Sequence, residues 1–259
     1  MIRAVSLLLA AVIASPSHAQ MPQRDWEMTI GAAALYVPDY EGSNDHKARA
    51  LPYVDASYKD TVFLRGTTLG ANLVSVNGPR PGDGLRIGPM IRYGFGRDEG
   101  DNEALRGLGD IDAAIELGGF ARYAAGAWLA DLQVAKDVAG GHEGVLVDAG
   151  IGWRHALSPR WRTTLRAHAT WADETHMQNV FGISAAQSAR SGLRRHEAGS
   201  GFKDVGLSAS LAFTVTENWL LIGRVGYSRL LGDAADSPIV ADKGSADQLS
   251  GMLTIGYRF

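Results

Sequence analysis

Arg162, Arg166 and His168 are spaced by four and two residues, and Asp110, Asp112 and Glu116 by two and four. Side chains of an extended strand alternate between its faces, so each set projects from one side. Asp148 and Arg224, with Asp131, fall on the matching face of three other alternating segments. Charges arranged in this way can set up a transverse field that orients polar solutes in a channel, or pair across a narrow interior and close it. Small barrels fill their interior with side chains, which favours pairing.

Other groupings could activate water: Asp39 with Asp45 and His46, His142-Glu143, and Asp173-Glu174 with His176. All lie in polar stretches that are explained by solvation, and no spacing joins one cluster to another. Ser237 precedes Pro238 and lacks a Gly-x-Ser-x-Gly elbow. His142, His168, His176 and His196 have no paired spacing of the kind that holds zinc. The sequence therefore predicts no catalytic, cofactor-binding or metal-binding residue, and the candidate site is a charged lining: Asp110, Asp112, Glu116, Asp148, Arg162, Arg166, His168 and Arg224.

The elements that must carry this lining are strands. From Val205 to Thr216, Val205, Leu207, Ala209, Leu211, Phe213 and Val215 alternate with glycine, serine, alanine and threonine. Trp161 to Trp171 alternates in the same way, with tryptophan at both ends and the arginines and His168 on the opposite face. Ten steps of about 3.3 Å, tilted by about 45°, cover the height of a barrel's apolar band. Further strands read at 26–37, 49–58, 61–69, 73–76, 85–96, 110–123, 128–134, 145–154, 219–231 and at the chain end. That gives twelve antiparallel strands in an up-and-down transmembrane β-barrel, with ten as the alternative count. Long polar segments at 38–48, 97–109, 172–201 and 232–246 alternate with tight turns such as Glu217-Asn218, so the long ones face outward and the tight ones the periplasm. The 172–201 segment is long enough to act as a plug or a lid.

Composition agrees with this architecture. The chain has 259 residues, 46% of them hydrophobic, yet beyond the first residues no run is long and apolar enough for a membrane helix. Residues 1–19 read as a signal peptide, with Arg3, an apolar run and Ser17-His18-Ala19 before the cut, leaving residues 20–259 as one outer-membrane barrel domain. Without cysteine there is neither a disulfide framework nor a lipid-bearing thiol. Losing Arg3 takes the net charge from −3 to −4, which gives no basic field for nucleic acid. Alternation continues through Leu253, Ile255 and Tyr257 to Phe259, a terminal strand suited to closing against the first and to engagement by a barrel-assembly machinery. Outer-membrane lipid and lipopolysaccharide are the expected surroundings.

Five segments resemble the MipA/OmpV family of outer-membrane proteins: Val37-Pro38-Asp39-Tyr40-Glu41-Gly42-Ser43, Leu51-Pro52-Tyr53, Leu105-Arg106-Gly107-Leu108-Gly109-Asp110, Phe181-Gly182-Ile183-Ser184, and the run from Leu231 to Val240. The resemblance implies an outer-membrane barrel. For some members it further implies a non-enzymatic scaffold linking a lytic transglycosylase to a peptidoglycan synthase. Other members resemble porins or surface antigens, and a small-solute channel, for which the charged lining speaks, is the alternative expectation.

Overall fold

The computed structural model describes residues 25–259, and the expected signal peptide lies outside them. The strands are β1 (Trp26–Pro38), β2 (His46–Tyr58), β3 (Val62–Arg65), β4 (Thr68–Ala71), β5 (Val74–Asn77), β6 (Gly84–Gly94), β7 (Ala114–Ala125), β8 (Trp128–Asp137), β9 (Val145–Ala156), β10 (Trp161–Ala172), β11 (Gly201–Thr214), β12 (Trp219–Leu230) and β13 (Asp247–Arg258). Every pairing is antiparallel, and the sheet closes on itself because β4 also pairs with β6. Both β4 and β5 lie along β6, with Gly70 opposite Met90 and Val74 opposite Ile87. They are two parts of one strand interrupted by a bulge, so the closed wall has 12 strands.

The break faces Gly88–Pro89, where proline could not donate to a ladder hydrogen bond in any case. The sequence reads 61–69 as a single strand, but Gly66, at φ +56°, turns the chain back as a tight hairpin. That hairpin is short. It pairs with β2 only over Asp55–Tyr58, leaving residues 46–54 of β2 with a strand neighbour on one side alone.

Ile151, Leu207 and Val225, all on the outward face, are each more than 60% exposed. A continuous apolar belt of this kind is stable only in hydrocarbon. Aromatic side chains border it near the short turns, where Trp26 meets Tyr58 at 4.9 Å, Trp161 stacks on Phe213 at 4.3 Å and Trp219 meets Tyr257 at 5.3 Å. Tyr93 with Phe95, and Tyr36 with His46, stand near the loop end. Closure is made between β1 and β13, in register from Thr29–Arg258 to Tyr36–Gly251. At this seam Gly31 faces Gly256, and a Cβ on Gly31 would meet the Ile255 carbonyl oxygen at 1.9 Å.

The long loops are not plain coil. The 172–201 segment holds α1 (Glu174–Phe181), capped by Asp173, and α2 (Ala185–Ser191), opened by a capping box of Ser184 and Gln187. The 232–246 segment holds α3 (Gly232–Asp236) and α4 (Pro238–Ala241).

Candidate functional site

Three layers occupy the barrel from loop end to turn end. The first is a lid. Tyr40, Leu105, Leu108, Met177, Phe181, Ile183, Ile239 and Val240, from four different loops, bury one another in an apolar cluster at the strand tops. Tyr40 donates its hydroxyl to the Ile239 carbonyl at 2.8 Å, and Ser237 donates to the Phe181 carbonyl at 2.6 Å. Burial pushes the Tyr40 hydroxyl up to about 12. The segments carrying the family resemblance at 37–43, 105–110, 181–184 and 231–240 thus meet in one structure. Loop 95–113 also covers the unpaired part of β2, where Asp101 accepts from Lys47 at 2.7 Å and lies 3.6 Å from Arg49.

The second layer is ionic. Glu116 on β7 is bound by Arg92 of β6 and by Nε2 of His142, the latter at 2.9 Å. The His142 ring meets His176 of α1 edge to face, with centroids 4.5 Å apart. Neither ring nitrogen of His176 has a hydrogen-bond partner, and burial, helped by nearby Lys203 and His142, pulls its pKa down to about 3. On the other wall Lys203 is bound by Glu41 and, at 2.8 Å, by Asp204. Asp204 accepts from Thr170 and lies 3.5 Å from His168. Arg166 completes the layer: it donates to both oxygens of Asp131, at 3.1 and 2.6 Å, and also binds Asp148.

Below these ion pairs a cavity of about 630 Å³ runs to the short turns. Five arginines and four aspartates line it, Arg224 among them.

Glu116, Asp148, Arg166 and His168 are therefore gathered into the ionic layer, and Arg224 into the cavity. Arg162 stands on the same face of β10 near the turn end, without an ion-pair partner among the described residues. Asp110 and Asp112 are placed differently from the strand reading at 110–123. β7 begins only at Ala114, because Gly107 and Gly109, at φ +81° and +82°, keep the chain turning, and Ile111 makes an isolated bridge to Arg97. Asp110 is exposed and accepts from the Glu99 backbone N–H at 2.8 Å.

Arg122 lies on the inward face that alternation in 110–123 assigns it, beside Glu116, whereas Arg65, Arg92, Lys203 and Asp204 were not among the expected lining residues. Alternation within β6 could have marked Arg92, whereas the bulge between Thr170 and Trp171 hides the inward aim of Lys203.

The family described as "MltA-interacting protein MipA" matches residues 30–259. YiaT of Escherichia coli K12, named as an outer membrane protein, is 26% identical over 90% of this chain and 91% of its own. The MltA-interacting protein of the same organism is 27% identical over 64% of this chain and 65% of its own. A solved Pseudomonas putida F1 outer membrane channel is 12% identical over 95% of this chain and 100% of its own, at a TM-score of 0.44. With the family matched over nearly every described residue, the chain belongs to the MipA family and is an outer-membrane β-barrel.

Proposed function

We propose that the barrel is a non-enzymatic membrane anchor for murein enzymes, holding a lytic transglycosylase and a peptidoglycan synthase near each other at the periplasmic face. The observation that carries this reading is how far the interior is filled: four loops pack into a buried apolar cluster over the strand tops, and ion pairs join side chains inside the barrel below them. A barrel filled in this way is suited to work through its surfaces. The name of the Escherichia coli relative supports contact with MltA, the transglycosylase arm of the proposal. On this reading residues 20–259 form one exported barrel domain, surrounded by lipid and lipopolysaccharide, and Phe259 presents the last strand to the assembly machinery. Photo-crosslinkers placed at the periplasmic turns, at Arg160 and Glu217, should capture both enzymes in intact cells, while one at Arg195 in the outer loop should not. Capture of neither enzyme, with an unaltered envelope after deletion, would overturn the proposal.

A second reading, the small-solute channel, is favoured by the charged cavity beneath the ionic layer. It predicts ion current through purified protein in a planar bilayer, with selectivity that changes when Arg162 and Arg166 are replaced by alanine.

A further inference from the structure

Three guanidinium groups in the turn-end cavity have no carboxylate within ion-pair distance among the described residues: Arg65, Arg122 and Arg224. Two of them have an aspartate directly across the sheet. Arg65 faces Asp55, and Arg122 faces Asp131. Yet Asp131 is held by Arg166, and the Arg65 and Arg122 guanidinium groups lie instead over the Phe63 ring, at 4.8 and 4.9 Å. Arg122 also lies over Phe120, at 4.7 Å. Phe63 is buried, and the fit depends on glycine across the hairpin, since a Cβ on Gly70 would meet the ring at 2.4 Å.

Stacking on a ring occupies the flat face of a guanidinium and leaves its N–H edge free to donate to a carboxylate or phosphate. The donors are thereby held in place before any ligand arrives. Like charge is concentrated further because Arg86, which is paired with Asp60 at 3.0 Å, stands directly opposite Arg122. The cavity has the size of a small-molecule site. It reaches the periplasmic turns through Asp60, Gly82 and Asp83, while the ion pairs of Arg166 with Asp131 and Asp148 stand at the other end.

We propose that this cavity is a periplasm-facing vestibule that binds a small soluble polyanion bearing carboxylate or phosphate groups, with Arg65, Arg122 and Arg224 as its donors. This does not depend on the scaffold reading, and crosslinking results leave it untouched.

The absence of cysteine makes the test direct. Ser210 lines the cavity, and Ser210→Cys in phospholipid-free detergent micelles places one thiol there. An anionic sulfonatoethyl thiosulfonate should modify it about tenfold faster than a cationic trimethylammonium analogue, relative to their rates on free glutathione. Millimolar citrate or pyrophosphate should slow the reaction, whereas glucose should not. Adding Arg65→Gln and Arg122→Gln should bring the ratio close to one and abolish protection; where that chain fails to fold, Arg224→Gln should lower both. Equal rates in the Ser210→Cys chain, an absence of protection by either anion, or a ratio that survives the arginine replacements would overturn the proposal.

Discussion

Arg122 stands directly across the β7–β8 pair from Asp131, yet the Asp131 carboxylate is bound by Arg166, which reaches it from β10. The nearest opposite charge in the sheet is therefore not the partner. Arg166 prevails because it fits between two carboxylates, Asp131 and Asp148, and satisfies both. Arg122 is left with aromatic rings and the open cavity. One choice of partner thus sets both the ionic layer and the charge of the space below it.

Removing that arginine should expose its cost. Arg166→Met leaves two partly buried carboxylates facing each other and should destabilise the barrel by about 2 kcal/mol, between the values for exposed and fully buried pairs. Urea titration followed by tryptophan fluorescence measures it. A midpoint equal to that of the unsubstituted protein would mean the pair contributes nothing.

The lid should be separable from the barrel. Phe181 is fully buried within it, and Phe181→Ala should cost about 3–5 kcal/mol of lid packing. External protease should then cut within 172–201 on intact cells, while the heat-induced gel shift of the barrel keeps its midpoint. Loss of both together would show that lid and wall unfold as one unit.

His176 makes the lid sensitive to acid. Burial holds the imidazole neutral down to about pH 3, in surroundings that include Lys203, His142, Glu116 and Arg92. An unfolded histidine gains its proton near pH 6.5, so below that value the open loop binds a proton that the packed lid refuses. This contribution is fully present above pH 6.5. It declines as pH falls, by up to about 1.4 kcal/mol per unit until the folded pKa is reached. Protection factors of the α1 amides, taken relative to intrinsic exchange at each pH, should fall between pH 6 and pH 4, and His176→Met should flatten that part of the profile.

At the seam, Gly31→Val should block closure, since its Cβ would overlap the backbone of β13. The folded, heat-modifiable form should be lost in refolding assays. Gly223→Ala, with open space around the added carbon, should change stability by less than about 0.5 kcal/mol.

Much of this wall was legible in the sequence because burial in lipid enforces a strict two-residue period. Trp161 to Trp171 and Val205 to Phe213 display it, and the faces read there are those observed. The hairpin inside 61–69 was hidden because β3 and β4 are four residues each, too short for a period to register. The lid helices had a visible signal, the Ser184-to-Gln187 capping box, embedded in what otherwise reads as a long polar loop. The ion pairs had none. Which carboxylate Arg166 binds, or that His142 lies against His176, depends on distances across a closed ring, and strand periodicity carries no such information.

The Thr29–Arg258 seam also bears on how the chain folds in time. Most other strand contacts join neighbours in sequence and can form as hairpins while the rest of the chain is disordered. The seam alone requires the first and last strands to meet, and carries the largest loop-closure cost. It should form last, so the final intermediate is an open sheet with two unsatisfied edges. That species, rather than the finished barrel, is the one most exposed to proteolysis and to pairing with the wrong strand.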